Sequence, residues 1–438
     1  MLIPWILTSI ALAAPIEPAL REGAGLPSEA AAADADDDRP RADAAGEVSP
    51  SAAVTSADAA GGGAPAIAAP PRRRRLAERL SFFPYGWVRT DANYYSAKRE
   101  GYSNLSLSGV RLGGGAGVGP ITVFAAIEVG QAKGPRLFDA FVRWDVSRRL
   151  SLRAGQFKAP FGYRFNTPDL VDELTWAPLS MLTATPGRQV GFEGRYDFWG
   201  HALLSAAIFS GIGQNREANN TKVAFASKLE VRPLATLRRG PELRLVGSLF
   251  TYTKTNGFSP TIRSALGFEF FHGVPANGRA LRVAGGAALF WRYLSLRAEY
   301  YYTYDGRQLD TDGDPFTPGE PLPPMIGAGA YGQVGVIVTG QDKDPDTLLP
   351  RLASARVRDS ALELSARAEF FRSGARDVVG NGVETLGAGV NWVVLRHLRV
   401  FVAANWQALD AAVPEIPSGR SWGFGGGIAG YFLDRGGV

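Results

Sequence analysis

The sequence predicts an all-β fold: a transmembrane antiparallel β-barrel of about 16 strands with one loop folded into its lumen. Three observations predict this. Apolar and polar side chains alternate in run after run beyond residue 80, which gives each strand one apolar and one polar face. Each run approaches the roughly 9–11 residues that a tilted strand needs to cross a bilayer. The same region has no apolar stretch long enough for a transmembrane helix, which needs about 18 residues.

Two segments precede the predicted barrel. Residues 1–13 are expected to be a secretory signal peptide, because they are apolar and end in an Ala-x-Ala pattern. The signal is atypical, since the first basic residue is Arg21, and a disordered apolar N-terminus is the alternative. Residues 14–80 are rich in Ala, Pro and Asp and are predicted to be disordered. Their arginine run, Arg72–Arg75, is expected to act as a periplasmic tether or to contact lipid head groups, with a solvated charge run as the alternative. Residues 81–438 are predicted to form the barrel.

Residues 293–304 show the alternation most clearly, with leucine and tyrosine on one parity and Arg297 and Glu299 on the other. Bacterial single-chain barrels have even strand numbers, so 16 strands are expected although the sequence offers 17 candidate runs. The candidates are 82–96, 103–115, 120–130, 136–146, 149–158, 188–198, 202–211, 222–233, 242–253, 262–272, 279–291, 293–304, 328–339, 360–372, 383–394, 396–408 and 421–433.

The connections differ in length, as they do in barrels with short turns on one rim and long loops on the other. Short connections are expected at 146–149 and 395–397, and long loops at 305–327 and 340–359. The segment 163–187 breaks the alternation and is too long for a rim turn. We expect it to fold into the lumen and narrow it; the alternative is an extracellular loop with solvated charges.

Composition excludes several functional classes. The chain has 438 residues and no cysteine, which excludes disulfide scaffolds and cysteine-based metal sites. The histidines His201, His272 and His397 lie far apart in sequence, without the spacing of a zinc site. We therefore expect no metal, no cofactor and no enzymatic activity. Basic and acidic residues are both spread along the chain, so its net charge of +5 does not indicate a nucleic-acid partner.

Two other interpretations of the alternation stay open. One is a soluble all-β domain used for binding or hydrolysis, and the other is a barrel that acts as a transporter or an enzyme. A soluble fold would bury the apolar parity between two sheets, whereas a membrane barrel turns it outward to lipid. The position of the apolar parity therefore separates the soluble interpretation from the two barrel interpretations.

Three segments resemble the phosphate-selective porin family of porin O and porin P. Residues 152–162 read L-R-A-G-Q-F-K-A-P-F-G and are similar to the family's motif before its inward loop. Residues 331–340 are similar to a later strand of the family, and Leu362–Phe371 with Gly389–Trp392 to two further strands. The resemblance spans about residues 82–433.

The resemblance implies a 16-stranded homotrimeric channel in the outer membrane of a Gram-negative bacterium. Its partners would be outer-membrane lipid and small anions such as phosphate or polyphosphate. Lys158 lies in the matching motif, Arg153 precedes it on the same strand, and Arg164 and Arg188 flank the predicted inward loop. We expect these four to line the anion path. Further lumen charges expected from parity are Arg143, Arg195, Lys228, Arg297 and Arg367.

The polar parity also carries almost as many carboxylates as basic residues. Most of these charges are expected to pair across neighbouring strands. Selectivity depends on the charges at the narrowest point, which parity does not identify. The sequence therefore predicts a water-filled channel more firmly than it predicts phosphate as the solute.

Overall fold

A computed structural model describes residues 80–433, apart from 97–103, 130–133, 168–173, 175, 212–222, 236–239, 259–261, 265, 267–268, 272, 310–318, 354–355 and 411–418. The expected signal peptide at 1–13 and the predicted disordered segment, up to residue 79, lie outside the described residues. The first strand begins at Leu80.

Sixteen antiparallel strands form a closed barrel, as the sequence predicts. Consecutive barrel strands pair with each other, and the first pairs with the last to close the wall. The wall strands are β1 (Leu80–Tyr95), β2 (Asn104–Val118), β3 (Ile121–Val129), β4 (Arg136–Asp145), β5 (Leu150–Lys158), β6 (Arg188–Phe198), β7 (Ala202–Phe209), β8 (Ala224–Val231), β9 (Glu242–Phe258), β12 (Pro275–Trp291), β13 (Leu294–Leu309), β14 (Glu320–Ile337), β15 (Ala361–Ala375), β16 (Val378–Leu395), β17 (Leu398–Leu409) and β18 (Arg420–Leu433).

The prediction of a wall strand at 262–272 is wrong. These residues form a separate small hairpin of β10 (Ile262–Arg263) and β11 (Glu269–Phe271), while β9 pairs directly with β12. The hairpin packs against inward side chains such as Phe371 and Val383 of the wall, and alternation does not distinguish such a hairpin from a strand of the wall. Because its residues pair only with each other in the described chain, this run accounts for the seventeenth candidate.

Helix is scarce in the described residues. It comprises α1 (Leu179–Ala184) and a single 3-10 turn at Val357–Asp359. No helix within the described part of the chain is long and apolar enough to span a membrane.

The wall turns its polar side inward and its apolar side outward. On β13, Arg297 and Glu299 are buried inside, while Leu296 and Tyr300 are 38% and 44% exposed on the outer face. The same inversion recurs around the barrel. A soluble β-sandwich has the opposite arrangement, so the structure rejects the soluble interpretation.

The rim that holds the start of β1 carries the short connections, including 146–149 and 395–397 as predicted. The predicted loop at 305–327 is shorter than expected, because β13 runs to Leu309 and β14 begins at Glu320. The predicted loop at 340–359 spans residues 338–360, but it leaves the twelfth wall strand and so lies on the short-turn rim. We call this segment the inner loop, and residues 159–187, between β5 and β6, the long loop.

Candidate functional site

The long loop leaves β5 and contacts the far side of the barrel. The carboxylate of Glu299, on the inward face of β13, accepts hydrogen bonds from the backbone N–H groups of Tyr163 (2.6 Å) and Arg164 (2.9 Å). It also accepts the hydroxyl of Tyr331 at 2.6 Å. The backbone N–H of Gly162 donates to Ser248 on β9 at 2.9 Å. Because these wall residues face inward, the start of the long loop lies inside the barrel.

The end of the long loop is held in the same way by β15. The backbone N–H of Leu179 donates to Glu369 at 2.7 Å, and that carboxylate also accepts the hydroxyl of Thr385 at 2.8 Å. Arg367 donates to the carbonyl of Trp176 at 2.6 Å. Charged side chains of the wall therefore satisfy the backbone groups of a loop that lacks a sheet partner there, and such charge-assisted bonds are strong.

An aromatic cluster packs the long loop against β3, β4, β5 and β7. Phe161 and Phe165 of the loop are buried with Phe157 at the end of β5. The rings of Phe157 and Phe209 lie 5.3 Å apart between centroids. Burial of several phenylalanines contributes about 1.5–3 kcal/mol each, so this packing fixes the loop firmly.

The first two predicted path residues differ in their surroundings. Arg153 is on the inward face of β5, donates to Glu193 at 2.9 Å and stacks 4.0 Å over the ring of Phe157. Lys158 has the opposite parity, and its ammonium donates to the carbonyls of Phe165 (2.9 Å) and Thr167 (3.2 Å). The lysine thus holds the first turn of the long loop.

Of the other two path residues, Arg164 lies near the start of the long loop and Arg188 directly follows its end. Arg164 is buried and donates to the Thr167 hydroxyl at 2.7 Å, so it meets Lys158 at the same threonine. Arg188 pairs with Lys158 in the strand register and donates to Asp139 at 2.9 Å. The structure therefore brings Lys158, Arg164 and Arg188 to one end of the loop.

The parity-predicted lumen charges all lie on the inward face, in different contexts. Arg143 is 3.4 Å from Asp145, and Arg195 is exposed to the lumen. Lys228 donates to Asn166 of the long loop at 3.2 Å. Arg297 is buried beside Glu299, and Arg367 holds the loop as described above.

Two phenylalanines of the wall each lie between two guanidinium groups. Arg111 and Arg188 stack on Phe138, each 3.3 Å from the ring centroid. Arg89 and Arg399 stack on Phe401 at 4.7 and 4.8 Å. Cation–π contacts fix the position of these guanidinium groups without neutralising their charge. Sequence reasoning missed this arrangement, because it requires strand register as well as parity.

The inner loop enters the barrel from the opposite rim and meets the long loop. The hydroxyl of Tyr163 donates to the carbonyl of Pro345 at 2.9 Å. Burial raises the pKa of Tyr163, so the hydroxyl keeps its proton as a donor at neutral pH. Asp346 pairs with Arg244 of β9 at 2.7 Å.

A buried ion pair anchors the base of the inner loop. The ammonium of Lys343 contacts the carboxylate of Glu363 on β15 and the hydroxyl of Ser295. Burial lowers the pKa of Lys343 to about 8, against the stabilising charge of Glu363. Lys343 therefore titrates much closer to physiological pH than an exposed lysine does.

The tip of the inner loop bridges two hydrophobic clusters. Leu348 is buried with Val246 and Phe290 on β9 and β12, and Leu349 packs against the same cluster. Leu349 also packs against the cluster that contains Trp87 of β1. The inner loop therefore spans the interior near the short-turn rim. Sequence reasoning predicted a loop here but had no signal for its direction.

The described residues hold no group of His, Asp or Glu side chains arranged to bind a metal ion. His201 and His397 lie in rim turns. His272 lies outside the described residues.

The sequence profile of the family "Phosphate-selective porin O and P" matches residues 124–412, well over half of the chain. The chain belongs to this family. The porin O and P membership makes the barrel a passive outer-membrane channel of Gram-negative bacteria, and it confirms the resemblance given by the three motifs. No curated protein sequence matches the chain.

Solved structures of outer-membrane proteins share the fold of this porin O and P member. One is the in-vitro folded outer membrane protein OmpT of Vibrio cholerae, with TM-score 0.54, 10% identity, and coverage of 80% of this chain and 97% of that one. Another is an anion-selective porin from Comamonas acidovorans, with TM-score 0.53, 12% identity, and coverage of 81% and 100%. At these identities the likeness concerns the fold alone.

Proposed function

We propose that the channel passes small inorganic anions such as phosphate, which the family description names, and polyphosphate, which the family resemblance implies. The observation that carries the proposal is the basic end of the long loop. Its described stretch 158–167 holds Lys158 and Arg164 and no carboxylate, and Arg188 lies opposite Lys158. These side chains sit where the loop enters the barrel.

The inward carboxylates support the proposal because most are already hydrogen-bonded. Glu299 and Glu369 accept backbone N–H groups of the long loop, which are neutral donors. Other inward carboxylates contact basic side chains: Asp91, Glu128, Asp139, Asp145, Glu193, Glu230, Glu242, Asp305 and Glu363. Carboxylates held in this way repel a passing anion less than solvated ones do.

Passage through the lumen is passive and involves no catalytic residue. The family assignment supports this, and so does a wall whose charged residues are used for pairing and for holding loops. The candidate anion path is lined by Arg153, Lys158, Arg164 and Arg188, with Arg143, Arg195, Lys228, Arg297 and Arg367 further along the wall.

Planar-bilayer recordings test the selectivity. In a KCl gradient the wild-type reversal potential is expected to show anion preference. Lys158→Gln and Arg195→Gln should each move it toward zero, because each removes one positive charge from the lumen. Arg148→Gln, on an exposed rim turn, is the matched control and should leave it in place at 1 M salt. Cation preference in the wild type, or no shift in either lumen variant, contradicts the proposal.

A second arm tests phosphate. Added phosphate is expected to reduce the chloride current of the wild type in proportion to its occupancy of the path. Lys158→Gln should require more phosphate for the same reduction. A chloride current that phosphate does not alter would restrict the proposal to small anions in general.

The protein forms a homotrimer in this proposal. The family resemblance supports it, as does a solved OmpT structure of Vibrio cholerae described as a trimer form, with TM-score 0.50. The large apolar outer face offers the surface that subunit contacts need. Native mass spectrometry is expected to give three times the protomer mass, and a single protomer mass in mild detergent contradicts it.

A further inference from the structure

The described connections of the short-turn rim are strongly basic at their surface. Exposed arginines outnumber exposed carboxylates there by seven to two. We define the basic collar as these seven arginines: Arg148, Arg149, Arg292, Arg351, Arg356, Arg358 and Arg396. The two exposed carboxylates are Asp342 and Asp346, and Asp346 already pairs with Arg244. Arg351, Arg356 and Arg358 belong to the inner loop, and Arg351 pairs with Asp344, so the surplus outside that loop is carried by Arg148, Arg149, Arg292 and Arg396.

Described residues near the long-loop rim show no such surplus. Their exposed arginines and carboxylates number five and four: Arg263, Arg279, Arg372, Arg376 and Arg420 against Glu320, Asp377, Glu384 and Asp410. The basic charge is thus a property of one end of the barrel among the residues that the structure describes.

Exposed aromatic rings accompany the collar. The guanidinium of Arg149 lies 4.3 Å over the ring of Trp199, which belongs to the neighbouring turn and is 65% exposed. Arg292 stands between Trp291 and Tyr293, which are 54% and 47% exposed. Tryptophan and tyrosine favour the depth of the lipid head groups, where one side of the ring is apolar and the other is wet. Arg149 and Arg292 therefore lie at head-group depth.

The turns hold these residues in an unfavourable backbone conformation. Trp199 and Arg292 have φ values of 57° and 51°, in the left-handed region where a Cβ atom clashes. Tight hairpin turns usually place Asn or Gly at such positions. Tryptophan and arginine at these positions therefore destabilise the turn itself. Strained residues of this kind cluster at functional sites.

We propose that the basic collar binds the phosphate head groups of anionic phospholipids in the periplasmic leaflet of the outer membrane. Short turns of such barrels face the periplasm, so the collar meets that leaflet. A lipid explains why the cations adjoin outward aromatic rings, since its phosphate binds arginine while its acyl chains cover tryptophan. A soluble acidic partner would bind the arginines but would not account for the aromatic rings beside them. The proposal rests on the outer-membrane location and is independent of the solute that the lumen passes.

The test counts lipids bound to the full-length protein. Detergent-solubilised protein is mixed with phosphatidylglycerol or with phosphatidylcholine, and retained lipids are counted by native mass spectrometry. Wild type is expected to retain phosphatidylglycerol in preference to phosphatidylcholine. Each arginine near an anionic surface gives roughly a fivefold gain in binding. The triple variant Arg148→Gln, Arg149→Gln, Arg292→Gln should therefore bind phosphatidylglycerol at least about tenfold more weakly.

A charge-matched control comes from the long-loop rim. The variant Arg279→Gln, Arg372→Gln, Arg376→Gln removes the same number of exposed arginines and should retain wild-type lipid binding. Single-channel conductance of both variants at high salt shows whether each barrel is folded. Equal binding of the two lipids by wild type, or equal loss in both triple variants, overturns the proposal. Binding of soluble peptidoglycan fragments in place of lipid also overturns it.

Discussion

At Glu299 a single buried carboxylate holds the first turn of the long loop. It accepts the backbone N–H groups of Tyr163 and Arg164 and the hydroxyl of Tyr331, and it is 3% exposed. Glu299→Gln replaces one accepting oxygen by an amide that donates. Loss of a buried charge-assisted bond costs about 1.5–3 kcal/mol, so the loop should detach part of the time. We expect noisier single-channel currents with higher open conductance.

Glu242→Gln is the matched control for that change. Glu242 is an inward carboxylate near the short-turn rim that pairs with Arg244, not with the long loop. The Glu242→Gln variant should leave the noise of the single-channel current unchanged. If the Glu299→Gln variant has the same conductance and current noise as the wild type, the aromatic packing alone holds the loop.

A different residue-scale prediction concerns Gly155 on β5. Its φ is 129°, and a Cβ atom there would lie 2.2 Å from the carbonyl oxygen of Ala140. Gly155→Ala should therefore cost about 2 kcal/mol or more and lower the yield of heat-resistant folded barrel on gels. Gly247→Ala on β9 has open space at the same atom and should fold normally. Equal yields from the two variants would contradict this.

Parity predicted which face these side chains occupy, but not what they contact. Glu299 and Arg367 were expected inside and lie inside, yet their partners are backbone groups of a loop more than 130 residues away in sequence. Lys158 was expected in the anion path from a motif, and the motif gave no sign that its ammonium also donates to a loop carbonyl. Contacts of this kind depend on the height of a residue along the barrel axis, which alternation does not encode.

At the scale of elements, the inner loop behaves as a second insertion into the lumen. It contacts the long loop through Tyr163 and Pro345, and its tip packs on β9 and β12. Replacing residues 339–360 by Asn-Gly, a pair suited to a two-residue hairpin, should open the short-turn end of the lumen. We expect a severalfold rise in single-channel conductance. Replacing Arg376-Asp377 by Asn-Gly, on the opposite rim, should leave conductance unchanged.

The ion pair at the base of the inner loop predicts a pH dependence. Burial lowers the pKa of Lys343 to about 8 from its usual 10.5. Between these values the unfolded chain binds more protons at this site than the folded chain, so the free energy of unfolding rises with pH. The full effect is on the order of 3 kcal/mol. The double variant Lys343→Met, Glu363→Gln should lack this increment.

The measurement is the difference in unfolding temperature between wild type and that double variant at pH 7.5 and pH 10. Other titrating groups affect both proteins alike and cancel in the difference. The unfolding temperature of the wild type should rise relative to that of the double variant between pH 7.5 and pH 10. A constant difference would mean that the lysine titrates alike in the folded and unfolded chains.

The sequence predicted most elements because bilayer-length alternation is a strong periodic signal. The prediction of strands failed where apolar and polar residues alternate outside the wall, as in the β10–β11 hairpin. It also failed where strands are longer than the alternating run, as β13 and β14 are. Consecutive antiparallel strands end on alternate rims, so the number of wall strands before the inner loop determines the rim on which it lies. One extra strand in that count would have moved it to the other rim.

At the scale of the whole molecule, two loops from opposite rims meet inside a wall whose charges are largely paired. Pairing keeps the long-range field of the wall small, because guanidinium groups such as those of Arg111 and Arg188 lie 3.0 and 2.9 Å from a carboxylate oxygen. In the path proposed above, the basic charge lies at Lys158, Arg164 and Arg188, close to the start of the long loop. Anion preference should then arise from contact distances and not from the net charge of +5.

Salt separates these two origins of selectivity. Screening acts over about 10 Å at 0.1 M and about 3 Å at 1 M ionic strength, so distant rim charges lose their influence at high salt while charges at contact distance keep most of theirs. The permeability ratio of chloride to potassium, measured from reversal potentials, should therefore remain above one at 1 M KCl. The triple variant Arg148→Gln, Arg149→Gln, Arg292→Gln should lower that ratio at 0.1 M and leave it unchanged at 1 M. If the preference of the wild type disappears at 1 M, then the rim arginines set the selectivity and the loop residues do not.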